Sequence, residues 1–186
     1  MHKKTALFWL SYICCTTGAV VAADGRKDAL PFRSADLVAL QGENLVPFKT
    51  ATLQSARYTV LYFSAGWCPD CRHFSPILVK AYNHQPAAGP RYEVVLVSKD
   101  RSAGEMLNYM KSEHMPWPAL AFEKVSEAKE LANFRSGEAV PWLTVLDSKG
   151  TIVLQSKSDQ DANEILEKLA TLVSNAAKNK PSSGVN

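Results

Sequence analysis

Apolar residues in this chain come in two kinds of run, short continuous blocks and stripes spaced three or four residues apart. Arg57-Tyr58-Thr59-Val60-Leu61-Tyr62-Phe63 and Tyr92-Glu93-Val94-Val95-Leu96-Val97-Ser98 are β-branched, aromatic and nearly unbroken. Such blocks predict strands covered on both faces. Phe74, Ile77, Leu78 and Tyr82 recur at helical spacing over Arg72 to Tyr82, with Pro76 expected to kink the stretch. Met106, Leu107 and Met110 mark a second helix over Ser102 to His114, begun by Ser102. Strand, helix, strand, helix is a βαβ rhythm, and it predicts an α/β fold whose sheet has parallel pairs and helices on its faces.

The flanks add hairpins. Ala35 to Leu40 and Leu45 to Phe48, joined by Gln41-Gly42-Glu43-Asn44, read as a short N-terminal one. Trp142 to Leu146 and Thr151 to Gln155, joined by Asp147-Ser148-Lys149-Gly150, read as a second. A short helix is expected over Glu127 to Phe134, and a last one over Asp159 to Ser174 with Ile165, Leu166, Leu169 and Leu172 on one face. There are no internal repeats. Residues 35–174 are the size of one domain with a sizeable core.

The two ends differ from this core. Met1-His2-Lys3-Lys4 is basic, Thr5 to Val21 is uncharged and largely apolar, and Val21-Ala22-Ala23 before Asp24 supplies the small residues of a cleavage site. That is the pattern of a secretory signal peptide over residues 1–23, followed by an N-terminal extension over 24–34. An uncleaved membrane anchor is the alternative, since the uncharged stretch is just long enough to cross about 30 Å of hydrocarbon. Both place the domain outside the cytoplasm. Tyr12-Ile13 ahead of Cys14 and Cys15 lacks the small residue that a lipoprotein signal needs. Residues 175–186 are small and polar and read as a flexible tail. Removing the leader takes Lys3 and Lys4 with it, so the formal charge falls from +3 to +1. Nothing in that balance points to nucleic acid.

Cleavage would leave two of the four cysteines, Cys68 and Cys71, in the segment Trp67-Cys68-Pro69-Asp70-Cys71. A first thiol at the start of a helix sits beside unpaired backbone N–H groups and the positive end of the helix dipole, so its thiolate is stabilised. Pro69 suits the first helical position, where its missing N–H costs little. Cys71 lies one turn further in. Cys68 is thus the expected nucleophile toward a substrate disulfide, and Cys71 the resolving thiol. A zinc site shares this spacing but needs a second Cys/His pair, and His73, His84 and His114 are not paired at ligand spacing. A purely structural disulfide would close so short a loop that it gains little. No metal or organic cofactor is expected.

Taken from Tyr62 to Pro76, the motif Y-F-S-A-G-W-C-P-D-C-R-H-F-S-P resembles the thioredoxin superfamily, and within it the tryparedoxin and nucleoredoxin branch. Tyr109-Met110 and Met115-Pro116-Trp117-Pro118-Ala119-Leu120 extend the likeness. The resemblance implies a thioredoxin-like fold, with a central mixed sheet flanked by helices, the N-terminal hairpin, and an extra helix inserted before Pro141. It also implies that Pro141, which alone reads as an ordinary strand-entry proline, is cis and faces the thiols. Val140 would then offer its backbone to an extended substrate segment. Trp67 would shield the thiols and join the docking surface, and Trp117 is expected to be partly exposed.

Two departures stand out. Thioredoxin's buried aspartate six residues before the nucleophile is Tyr62 here, leaving proton transfer from Cys71 to water, another group or the tyrosine hydroxyl. Asp70 precedes the resolving cysteine, and a carboxylate near a thiolate disfavours its charge. A less stabilised thiolate makes the reduced pair a better electron donor. The expected activity is therefore that of an exported, periplasmic thiol–disulfide oxidoreductase acting as a reductant on protein disulfide and dithiol substrates. It would work as a monomer and be recharged by a membrane thiol-reductase. A disulfide oxidase or isomerase, and a copper-binding assembly factor on the same scaffold, are the alternatives; soft thiolates do suit Cu(I).

Overall fold

A computed structural model describes residues 30–49, 51–86, 91–158 and 161–178. The expected leader and most of the N-terminal extension lie outside the described residues.

A 3-10 turn, Ser34–Asp36, leads into β1 (Leu37–Gln41) and β2 (Asn44–Pro47), followed by α1 (Ala51–Ser55), β3 (Tyr58–Ser64) and α2 (Pro69–Asn83). Next come β4 (Tyr92–Ser98), α3 (Ala103–Ser112), β5 (Ala119–Leu120), α4 (Phe122–Glu127) and a 3-10 segment, Lys129–Phe134. The chain finishes with β6 (Trp142–Leu146), β7 (Ile152–Gln155) and α5 (Ala162–Lys178). The strands form one seven-stranded sheet in the order β2-β1-β5-β4-β3-β6-β7. β3 pairs parallel with β4 and β4 with β5, while the β1–β2, β1–β5, β3–β6 and β6–β7 pairs are antiparallel. This is the mixed thioredoxin-like sheet.

Every residue of β3 and of β4 is buried, as continuous apolar runs at the centre of a sheet require. α5 packs on β6, β7 and α2, whereas α3 and α4 pack on each other and on β1, β4 and β5. The turn between β6 and β7 is made by Asp147, whose Oδ1 accepts from Lys149 N–H and Thr151 N–H, with Gly150 at φ +79°. Ser102 caps α3 by accepting Glu105 N–H at 3.1 Å.

Several expectations change. Ala35 and Asp36 belong to the 3-10 turn, and β1 starts at Leu37. The helix expected over Glu127 to Phe134 is split into α4, which lies earlier, and the 3-10 segment. α2 runs through Pro76 as one element; Pro76 is exposed, so the hydrogen bond it cannot donate is lost on the solvent side. α5 continues to Lys178, four residues into the expected tail, because Ala176 and Ala177 favour helix. Trp117 is fully buried, not partly exposed: its ring meets Tyr62 edge-on at 6.3 Å and Tyr82 at 5.5 Å. β5 and α1 have no counterpart in the sequence reading. A two-residue strand between Pro118 and α4 carries no periodicity, and its place is fixed by Leu96 N–H donating to Pro118 O at 2.9 Å.

Candidate active site

The Cys68–Cys71 pair stands at the carboxyl end of β3, where ligand sites of open α/β sheets gather. Between strand and helix the turn Ala65-Gly66-Trp67 is held at three points. Cys68 N–H donates to Ala65 O at 3.2 Å, Gly66 N–H to Asp100 Oδ1 at 2.8 Å, and the Trp67 indole to Lys99 O at 3.0 Å. Asp100 is itself fixed by the Ser98 hydroxyl, 2.7 Å from its other oxygen, and burial raises its pKa against those hydrogen bonds. Gly66 must be glycine because a Cβ there would lie 2.9 Å from the Cβ of Tyr109. With its indole tethered, Trp67 stays 51% exposed beside the thiols.

Cys68 is the N-cap of α2, with Pro69 in the first turn and Sγ accepting Cys71 N–H at 3.3 Å. A thiolate at this position gains that hydrogen bond and the helix dipole. Pro69 and Asp70 are exposed, Asp70 in the same first turn. Across the gap the thiol of Cys68 donates to Val140 O at 3.4 Å, and the Val140–Pro141 peptide bond is cis. Val140 N–H has no partner among the described residues. Both cysteines are free thiols.

Cys71 faces the other way, into the protein. It is fully buried, and burial, with the hydrogen bond to Cys68 adding to it, pushes its thiol up to about 12. The Ser64 hydroxyl pulls in the opposite direction. Ser64 belongs to a nest of buried hydroxyls. Ser64 Oγ lies 2.7 Å from Tyr109 Oη, Tyr109 Oη 2.6 Å from Ser75 Oγ, and Ser75 Oγ donates to Cys71 O at 2.8 Å. Tyr62 Oη completes the group, 2.9 Å from Ser75 Oγ and 3.5 Å from Tyr109 Oη. Burial raises the pKa of both tyrosines, Tyr62 to about 12, so they remain neutral hydroxyls.

The structure thus brings Trp67, Cys68, Pro69, Asp70, Cys71, Val140 and Pro141 to one place. Sequence reasoning missed Ser64, Ser75, Asp100 and Tyr109. Ser75, one turn after Cys71 on the same helix, was the one with a local signal. Tyr109 arrives from α3, and no spacing rule announces it.

The profile of the Thioredoxin-like family matches residues 56–152. The chain belongs to this family. Nucleoredoxin of Mus musculus is 30% identical over 173 residues, covering 83% of the chain and 39% of the relative. The chain therefore spans well under half the length of the curated nucleoredoxins it matches. Tryparedoxin of Trypanosoma brucei superposes with a TM-score of 0.57 at 30% identity, covering 75% of this chain and 92% of that one. Tryparedoxin II of C. fasciculata gives 0.59 at 28% identity, covering 84% and 92%. This thioredoxin-like chain is thus of the tryparedoxin and nucleoredoxin kind, in both sequence and overall fold.

Proposed function

We propose that the protein is a thiol–disulfide oxidoreductase that reduces protein disulfides outside the cytoplasm. One observation carries this reading: Cys68 Sγ sits at a helix N-terminus and 3.4 Å from the carbonyl of the residue before a cis proline, with a second thiol buried one turn deeper. A substrate segment pairs along Val140 as an added strand, which lays its disulfide on Cys68. The Cys68 thiolate attacks one substrate sulfur, forming a mixed disulfide and expelling the other as a thiolate, which takes up a proton. Cys71 then loses its proton and attacks Cys68 Sγ, releasing the second substrate thiol. Two electrons pass to the substrate, and the Cys68–Cys71 disulfide remains.

The hydroxyl nest serves the second attack. A hydroxyl both donates and accepts, so Ser64 can accept from the Cys71 thiol and, after rotation, donate to its thiolate. A carboxylate there could only accept unless protonated. Once Cys68 is in a mixed disulfide, its hydrogen bond no longer raises Cys71, and burial opposed by the Ser64 hydroxyl and the Ala65 backbone is what remains.

Asp70, in the first turn, works against the Cys68 thiolate and supports the reductant direction. Export is supported by the basic, apolar and small-residue order of residues 1–23. A reductant in an oxidising compartment must be recharged, and a membrane thiol-reductase is the donor class that fits. One chain supplies every group the exchange uses, so the working unit is a monomer.

The test is the reduction potential of the Cys68–Cys71 pair in the full chain, equilibrated in glutathione or dithiothreitol buffers, with Cys71→Ser as the control that forms no internal disulfide. A value near about −270 mV supports the reductant, and one near about −120 mV makes the protein an oxidant instead.

A further inference from the structure

The loop that carries Val140 to Cys68 is held by the side chain of its own first residue. Arg135 follows the 3-10 segment Lys129–Phe134, and only 6% of its side chain is exposed. Arginine is seldom buried to this degree unless it is paired. Its Nη2 donates to Ala139 O at 2.9 Å and its Nη1 to Glu138 Oε2 at 3.3 Å. The guanidinium also lies 5.4 Å over the ring of Phe63, the β3 residue in register with Trp142. Burial lowers the Arg135 pKa, with Glu138 opposing, and its buried Nε has no acceptor among the described residues. An apolar side chain of the same volume would cover Phe63 without those costs. What the guanidinium adds is its pair of hydrogen bonds, and both end on the loop.

The bond to Ala139 O matters most, because that oxygen and Val140 N–H belong to one planar peptide unit. Fixing the oxygen fixes the direction of the N–H, the donor that an added strand needs. A cationic donor on the oxygen also polarises the unit and strengthens the N–H as a donor. Gly137, at φ +95°, gives the loop the curl that returns Ala139 to the guanidinium. The stack on Phe63 ties that arrangement to β3, from which Cys68 is hung.

We propose that Arg135 is a positioning residue of the docking edge: by clamping the Ala139–Val140 peptide unit it sets the affinity for extended, disulfide-bearing protein segments without taking part in sulfur chemistry. The proposal rests on the oxidoreductase reading. It separates two substrate classes, since a small disulfide that never pairs with Val140 gains nothing from the clamp.

The experiment uses the full chain with dithiothreitol as the recycling reductant, insulin as the protein disulfide and 2-hydroxyethyl disulfide as the small neutral one. Arg135→Met keeps the apolar stem and removes the donors. It is expected to raise KM for insulin about tenfold, the loss of one charged hydrogen bond, with kcat and the small-disulfide rate within about twofold of the parent. The reduction potential should stay unchanged. Arg135→Lys, a point donor that serves one acceptor at a time, should restore part of the KM; it carries the measurement if Arg135→Met does not fold. An unchanged insulin KM in the Arg135 variants overturns the proposal, as does an equal loss on both substrates with a lower Tm. If the unmodified chain turns over neither substrate, the oxidoreductase reading itself is wrong.

Discussion

The two sulfurs of the Cys68–Cys71 pair are three residues apart and live in opposite surroundings. Cys68, itself only 5% exposed, faces a half-exposed indole, a loop whose Val140 N–H has no partner among the described residues, and the first turn of α2. Cys71 looks inward, to four hydroxyls drawn from β3, α2 and α3. In the proposed reaction, attack on a partner and release of that partner fall to different sides of one helix end. The outer side is built from backbone and an aromatic plate, so it can meet many sequences. The inner side is fully satisfied and serves a single proton.

That contrast is most exposed to disproof by removing one sulfur at a time. Cys68→Ser should drop protein-disulfide reduction to the uncatalysed background, whereas Cys71→Ser should still make the first attack and accumulate a mixed disulfide visible by mass spectrometry. Next in size is the inner nest. Ser64→Ala should slow resolution of the mixed disulfide about tenfold, the value of one hydrogen bond to a charged group, and leave the first attack unchanged in stopped-flow. Since burial raises the Cys71 pKa, resolution should quicken with each step of pH from 6 to 9, as more thiolate forms. The same raised pKa has a cost for the fold: the reduced protein should lose stability as pH rises from about 9, where an unfolded thiol ionises and the buried one does not, as calorimetry would show.

Smaller effects belong to the outer side. Trp67→Ala should raise KM for insulin about three- to tenfold with little change in Tm, because half of the indole is already in water. Asp70→Asn should move the reduction potential about 5–20 mV in the less negative direction, since removing a carboxylate favours the thiolate and hence the reduced form. A shift the other way would remove the electrostatic support for a reductant.

Much of the outer side was legible in the chain. A Cys-Pro-x-Cys start to a helix, after a buried strand, is written in contiguous residues, and Val140-Pro141 precedes a readable strand. The inner side was not, because Ser64, Ser75 and Tyr109 meet only after β3, α2 and α3 are assembled, and serines carry no periodic signal. Tyr62 was noticed as the replacement of an aspartate and as one of several routes for the Cys71 proton, without its partners Ser75 and Tyr109. The fold follows the same division. The long buried strands and α3 were readable from pattern, while β5, two residues set by a partner strand, and the split before β6 depended on tertiary packing. Arg135 carries no signal in the chain, and the role proposed for it rests on its contacts with Ala139 and Phe63 in the folded protein.

The most direct test is to alkylate the fully reduced chain with iodoacetamide between pH 6 and 9 and follow each cysteine by peptide mass mapping. Cys68 should react at least about a hundredfold faster than Cys71 throughout, because Cys71 is fully buried and burial raises its thiol pKa to about 12. Equal rates, or faster loss of Cys71, would contradict the division of labour between the two sulfurs.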